Sequence, residues 1–224
     1  MTPGWRRAEG RGDRGTAPLV LGRESLLHAT RRLARSDRRI GALVRRYGPP
    51  PLWARPRGFP TLLRIILEQQ VSLASARAVY RRLLAQLPAV TPAAVLDLGA
   101  DGLRQIGFTR QKAGYAVALA GRVEDGRLPL ARLHRHSDAD AYARLTAVPG
   151  IGPWTAAIYL LMALRRPDVW PPGDLALHKA MGRLAGVTRV PSAAHAEAMA
   201  ERWRPFRAVA ARILWHAYLS ERRA

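Results

Sequence analysis

The chain has 224 residues, which suits one domain or two intimately packed lobes, so a single active site is expected. Its 37 basic and 16 acidic residues give a formal charge of +21, an excess that points to a polyanionic partner, nucleic acid first. Only Lys112 and Lys179 are lysines. The arginine usage of a GC-rich genome accounts for the same charge, and composition leaves both explanations open.

The residue types and segments that are absent from the sequence limit the chemistry and the cellular location that we expect for the protein. Without any cysteine, the chain forms no disulfide, no thiolate zinc site and no iron-sulfur cluster. No apolar run approaches the ~20 residues of a membrane span, and residues 1–16 lack the apolar core of a secretory signal. We expect a soluble protein in the cytoplasm, associated with the nucleoid.

The N-terminal part of the chain is predicted to form helices separated by short breaks. Residues 1–21 are rich in Gly and Arg without periodicity, which predicts a disordered basic tail. From Ser25, apolar residues recur at the spacing of one or two helices until the Gly-Pro-Pro-Pro stop at 48–51. One helix then ends near Gln70 and the next begins at Ser72 as its N-cap, which places Gln70 at the corner between them.

The remaining helices begin at capping residues or follow glycine and proline breaks. Thr91 before Pro92 combines a cap with a proline that is preset for the first turn. No segment shows the alternation of a strand, so the sequence predicts an all-α fold of roughly ten short helices. After the helix that Thr91 opens, the predicted helices span 109–123, 137–147, 154–164, 175–184, 192–204 and 205–219.

The most informative stretch is a turn between two of these helices. Pro149 and Gly150 force a tight turn, Gly152 has no side chain to obstruct a ligand, and Pro153 suits the first position of the next helix. Outward-facing amides at a helix N-terminus bind phosphate, so this turn would hold a DNA backbone without reading its sequence. The alternative is a corner between helices in which Gly and Pro serve only the turn.

The string VPGIGPWTA at 148–156 resembles the hairpin of the helix-hairpin-helix DNA glycosylase superfamily, and within it the 3-methyladenine DNA glycosylase II family. Three further segments agree in order: EQQVS at 68–72, GFTRQKA at 107–113, and ERWRPFR at 201–207, which leads to Trp215. The resemblance implies two helical lobes with a DNA-binding cleft between them. One lobe would comprise residues of about 59–164, and the other 22–58 with 165–224.

The enterobacterial enzyme of that family carries an additional N-terminal domain with a mixed sheet. This chain has neither the length nor the pattern for such a domain, so it resembles the compact form. Superfamily branches that hold an iron-sulfur cluster with four cysteines are disfavoured, because this chain has no cysteine.

Asp174 is the predicted catalytic residue. It directly precedes a helical segment, and an aspartate there is a favoured N-cap. The resemblance places the catalytic carboxylate at this position, and the two roles are compatible. An ionised carboxylate opposite an oxocarbenium-like deoxyribose stabilises the sugar as the glycosidic bond breaks, and it can orient or activate the attacking water.

The resemblance also implies a base pocket and the absence of lyase activity. Trp154 and Trp215 match positions that line the pocket for a flipped base, where an indole face attracts a cationic alkylated purine. Ile158 lies one turn beyond Trp154, where the enterobacterial enzyme has an aromatic residue. For both tryptophans the alternative is a core role. Trp154 also occupies the position of the Schiff-base lysine of bifunctional members, which implies a monofunctional enzyme.

Gln70 matches the side chain that fills the gap left by the flipped base, although the enterobacterial enzyme has an apolar residue there. Arg110 and Lys112 are predicted to contact phosphate near the lesion or to lie on a solvated helix face. The predicted hairpin contacts to DNA are Pro149, Gly150, Ile151, Gly152 and Thr155.

The resemblance implies a monovalent cation, Na or K, held by the carbonyls of Thr146, Val148 and Ile151 and bridging to phosphate. His134 and His136 lack the further ligands of a transition-metal site, and no organic cofactor is expected.

Together these features predict a monomeric, monofunctional glycosylase of base excision repair that removes alkylated bases from double-stranded DNA. Two alternatives stay open. One is a glycosylase for a deaminated or oxidised base, and the other is a non-catalytic helix-hairpin-helix module that binds DNA.

Overall fold

The computed structural model describes residues 19–187 and 190–222. Residues 1–18 of the predicted tail lie outside the described residues. Leu21, the last residue of that predicted tail, is 1% exposed, and its amide donates to the Arg165 carbonyl at 2.8 Å. The folded part of the chain therefore includes Leu21.

Every regular element in the described residues is helical, which confirms the all-α prediction. The described residues form two compact units. The first unit is drawn from Met1–Ala54 and Leu160–Ala224, and the second unit from Arg55–Tyr159. The sequence placed these boundaries near residues 58 and 164. No helix in 19–187 or 190–222 combines the length and the apolar character needed to cross a membrane.

The second unit is built around α3 (Phe59–Glu68), an apolar helix whose neighbours are α4 (Leu73–Gln86) and α6 (Arg110–Glu124). Burial of Leu62, Ile65 and Ile66 at 0% exposure places α3 in the core. The small side chains of α6 allow α5 (Pro92–Gln105) to pack closely against it. The helices of this unit are α3 (Phe59–Glu68), α4 (Leu73–Gln86), α5 (Pro92–Gln105), α6 (Arg110–Glu124), α7 (Asp138–Thr146) and α8 (Pro153–Met162), whose last three residues count with the other unit.

The predicted caps of this unit are confirmed. Each hydroxyl accepts a hydrogen bond from the amide three residues on, at 3.1–3.2 Å, which satisfies one of the unpaired amides of a helix N-terminus. The capping residues are Ser72, Thr91, Thr109 and Ser137.

The first unit surrounds α11 (Arg207–Glu221), which is buried along most of its length. Packed against it are α1 (Arg23–Ser36), α2 (Arg38–Tyr47) and α9 (Leu175–Ala185), and α10 (Ala193–Ala200) packs on α9. The one or two helices predicted before the proline stop are two, because Asp37 ends α1 and caps α2. The predicted helix at 192–204 ends at Ala200, and Glu201–Trp203 form a short 3-10 turn.

Candidate functional site

Asp174 caps α9 in the first unit, and two donors hold its carboxylate. Oδ1 accepts the Leu177 amide at 2.9 Å and the indole Nε1–H of Trp215 at 3.1 Å. The side chain is half-buried. A helix N-terminus together with these two donors compensates a negative charge and fixes the direction of the carboxylate.

The loop before Asp174 is anchored to the segment that leads into α11. Arg207 is 4% exposed, and its Nε and Nη2 donate to the two oxygens of Asp168, both at 3.0 Å. Arg204 adds a contact of 2.8 Å to the same carboxylate. A bidentate pair of this kind fixes geometry as well as charge, so residues 201–207 hold the start of the loop that ends at Asp174.

A second aromatic residue, Trp53, lies beside Trp215. Its ring is 6.4 Å from that of Trp215 at an interplanar angle of 68°, and also 6.4 Å from the His216 ring. Trp53 is half-buried, and its φ of +47° is in the left-handed region that a bulky residue rarely adopts. Trp53 was not among the residues predicted from the sequence, where its only signal is an aromatic residue two positions after Pro51.

Arg212 on α11 holds the segment that carries Trp53. Its guanidinium is fully buried and donates to the carbonyls of Leu52, Ala208 and Leu161 at 2.9, 3.0 and 2.7 Å. Burial lowers the pKa of Arg212 to about 10, so it stays charged at neutral pH. Three carbonyl partners thus hold this cation in place next to the strained Trp53. Among so many arginines, no sequence signal distinguishes Arg212.

His178 lies one helical turn after Asp174 on α9. It is 7% exposed, and its Nε2 has no hydrogen-bond partner among the described residues. Burial lowers the pKa of His178, an effect that the negative charge of Asp174 opposes. The net effect favours the neutral imidazole. His178 was not among the residues predicted from the sequence.

The hairpin joins α7 to α8 in the second unit and has the predicted form. Gly150 has φ +85°, and a Cβ there would overlap the ring of Tyr115. Gly152 has nothing within 4 Å of the position that a Cβ would take. Val148 and Ile151 are both 3% exposed and anchor the turn in the core. Gly150 is thus required by the fold, whereas Gly152 leaves open space at the N-terminus of α8.

Gln69 connects the hairpin to the corner that precedes α4. Its Nε2 donates to the Gly150 carbonyl and to the Thr155 hydroxyl, each at 2.8 Å. Thr155, predicted to contact DNA, is instead 2% exposed and turned towards Gln69. Only its backbone amide, in the first turn of α8, suits the predicted contact.

Gln70 lies at the predicted corner between α3 and α4. It is exposed, and its φ of +53° is unusual for a residue other than glycine. Lys112, for which we expected a phosphate contact or a solvated face, donates from Nζ to the carbonyls of Leu67 and Gln69 at 2.6 and 2.8 Å. Burial lowers the pKa of Lys112. Arg110 on the same helix is exposed, as a phosphate contact requires.

The two other predicted pocket residues, Trp154 and Ile158, lie on α8 in the second unit. Trp154 is half-buried. Ile158 is 2% exposed, so it is part of the core of α8 and presents almost no surface to a ligand. Of the predicted pocket residues, the structure brings Trp215 into contact with Asp174.

The predicted monovalent cation would take three hairpin carbonyls, including that of Val148. The Val148 carbonyl accepts the Ile151 amide at 3.0 Å, and a carbonyl oxygen has a second lone pair for a further partner. Among the described residues, no group of three or more His, Asp or Glu side chains is placed to hold a metal ion.

Comparison with known proteins places this architecture among repair enzymes. A family model described as HhH-GPD superfamily base excision DNA repair protein matches residues 63–205. The chain is 28% identical over 184 residues to DNA-3-methyladenine glycosylase 1 of Schizosaccharomyces pombe, with 80% of each chain covered. It is 26% identical to a putative DNA-3-methyladenine glycosylase of Bacillus subtilis, but spans only 65% of that protein's length.

A solved structure of the S. pombe 3-methyladenine DNA glycosylase in complex with abasic DNA superposes with a TM-score of 0.77 at 27% identity. The superposition covers 84% of this chain and 95% of the other.

Proposed function

The chain belongs to the HhH-GPD superfamily of base excision DNA repair proteins, and from this membership we propose that it is a monofunctional DNA glycosylase for alkylated bases. Its substrates would be 3-methyladenine and 7-methylguanine in duplex DNA. The observation that carries this proposal is the Asp174 carboxylate, held on one oxygen by the Leu177 amide and the Trp215 indole.

The proposed reaction begins with DNA bound at its phosphates. The glycines of the hairpin and the N-terminus of α8 hold the backbone without reading bases, and a monovalent cation on the carbonyls of Thr146, Val148 and Ile151 would add a bridge to phosphate. The damaged nucleotide then leaves the stack, which costs a few kcal/mol, and Gln70 fills the gap.

Asp174 acts on the deoxyribose of the flipped nucleotide. As the C1′–N bond breaks, the bonding electrons go to the base and positive charge develops on the sugar, where the carboxylate stabilises it. Water then forms the new bond to C1′ and releases a proton, which leaves an abasic site. An alkylated purine already carries a positive charge, so it leaves as a neutral base and needs little acid catalysis.

The half-buried Trp53, whose ring contacts that of Trp215, supports a preference for cationic bases. An indole face attracts a cation by roughly 0.5–2 kcal/mol, which a neutral normal base does not gain. Tryptophan also occupies position 154, where a lyase would have a nucleophilic lysine, and the Lys112 ammonium is bound to two carbonyls. These features support the monofunctional assignment.

The proposal is tested by measuring base release from methylated duplex DNA by wild type and Asp174→Asn. Asparagine can still cap α9, but it carries no charge, so we expect release to fall by at least about a hundredfold. Asp37→Asn is the matched control. Asp37 also caps a helix and accepts an indole N–H, from Trp203 at 2.9 Å, so the change should lower stability without abolishing release.

Absence of release by wild type with DNA binding retained would contradict the enzyme assignment and favour the non-catalytic module. Base release from oligonucleotides that carry 3-methyladenine, 7-methylguanine, ethenoadenine, hypoxanthine or uracil shows which lesion the enzyme removes. Borohydride added to the same reactions should trap no covalent complex, because a monofunctional enzyme forms no Schiff base.

A further inference from the structure

The corner between α3 and α4 is a strained turn with an exposed apolar rim. Gln70 has φ +53°, a conformation that persists only where neighbouring groups hold it. Val71 and Leu73 beside it are 42% and 54% exposed. Exposed apolar side chains beside an exposed polar one on a constrained backbone suit contact with stacked bases more than with phosphate or solvent.

Lys112 binds the backbone on the N-terminal side of this turn. Its ammonium donates to the carbonyls of Leu67 and Gln69, which lie at the end of α3, where helix carbonyls have no partner within the helix. A cation at a helix C-terminus is also favoured by the helix dipole. Two of the three ammonium protons are engaged in this way, so the charge of Lys112 stabilises the backbone immediately before Gln70.

Gln69 connects the same turn to the hairpin. One side-chain amide nitrogen donates to the Gly150 carbonyl and to the Thr155 hydroxyl at 2.8 Å each, which uses both of its protons. Gly150 lies in the tight turn of the hairpin, and Thr155 in the first turn of α8. The residue before the strained Gln70 is therefore bonded to both sides of the phosphate-binding loop.

We propose that Gln69 and Lys112 are positioning residues that fix the Gln70 corner to the hairpin, so that the phosphate held by the hairpin sets where Gln70 enters the duplex. This inference rests on the proposed function. Neither residue touches the reacting atoms. Each acts through Gln70, and the side chain of Gln69 is the direct connection between the two DNA-contacting loops.

The test measures insertion without requiring base release. A duplex with a tetrahydrofuran abasic analogue and 2-aminopurine opposite it reports, by fluorescence, when a side chain fills the gap. At saturating protein, we expect Gln69→Leu and Lys112→Met to lose most of the wild-type signal, and Gln70→Ala should lose it as well. Affinity for undamaged DNA should change by less than about threefold, because the phosphate contacts remain.

Gln111→Leu is the matched control for Gln69. Its side-chain amide donates to the Tyr115 hydroxyl at 2.8 Å on the exposed side of α6, and it should give the full signal. Urea unfolding of each variant shows that it is folded. A folded Gln69→Leu variant with the wild-type signal would overturn the proposal.

For Lys112 the salt dependence of binding separates positioning from phosphate contact. A lost phosphate contact reduces the slope of log K against log salt by about 0.9, whereas a positioning residue leaves the slope unchanged. We expect Lys112→Met to keep the wild-type slope. A shallower slope with an intact fluorescence signal would overturn its positioning role. No variant in this test is judged by base release. If the proposed function is wrong, the wild-type protein inserts Gln70 into the duplex but releases no base, and this result is distinct from a failure of the positioning role.

Discussion

Trp215 and Trp170 are buried to a similar degree in the first unit, at 7% and 8% exposure, but their indole N–H groups differ. The Trp215 N–H donates to Asp174. The Trp170 N–H has no hydrogen-bond partner among the described residues, and its ring packs on Trp203 at 6.0 Å. Trp170 contributes to packing alone, whereas Trp215 also holds the Asp174 carboxylate in position.

The pair of substitutions Trp215→Phe and Trp170→Phe isolates that hydrogen bond. Phenylalanine keeps an aromatic ring but cannot donate. A hydrogen bond to a charged group is worth about 1.5–3 kcal/mol, so single-turnover base release by Trp215→Phe should fall roughly ten- to a hundredfold. Trp170→Phe loses no hydrogen bond and should release bases at close to the wild-type rate. Equal rates for the two variants would show that Trp215 does not position Asp174.

At the scale of elements, the hairpin contains two glycines, and a different physical reason explains the presence of glycine at each position. Gly150 needs its positive φ, and the Tyr115 ring excludes a Cβ there. Gly152 has space around it, so the fold tolerates a side chain at that position. Gly150 is required by the turn, which is the role that the alternative of a simple corner between helices gave to both glycines. Gly152 instead leaves room for a ligand.

Alanine at each glycine distinguishes these reasons. Gly150→Ala should lower the free energy of unfolding by more than about 1 kcal/mol, because of its backbone conformation and the overlap with Tyr115. Gly152→Ala should leave the urea midpoint unchanged but weaken binding to undamaged duplex DNA, since the methyl group occupies the surface that a phosphate approaches. Unchanged DNA affinity for a folded Gly152→Ala variant would contradict the phosphate site at the hairpin.

At the scale of the whole molecule, the formal charge of +21 favours any polyanion. Affinity for undamaged DNA should fall steeply as salt rises, because each phosphate contact releases counterions and contributes about 0.9 to the slope. Fluorescence anisotropy across a salt series measures this slope. An affinity that does not change with salt would contradict the phosphate anchor, whatever the result of the base-release assay.

Features that depend on neighbours along the chain were predictable from the sequence. Helices follow from apolar spacing, and the caps at Ser72, Thr91 and Thr109 follow from a hydroxyl residue just before a helix. The hairpin at 148–152 and the N-cap position of Asp174 are local in the same sense. All of these were predictable because the interacting groups are at most a few residues apart.

The tertiary structure alone decided which distant groups meet. Trp215 reaches Asp174 across 41 positions, Gln69 reaches Gly150 across 81, and Lys112 binds the end of α3 instead of lying on a solvated face. A tryptophan, a glutamine or a lysine has no local signal that names its partner, because hydrogen-bond geometry depends on how helices pack. The sequence therefore located the N-cap at Asp174 and the hairpin turn, while the folded chain determined which residues contact them.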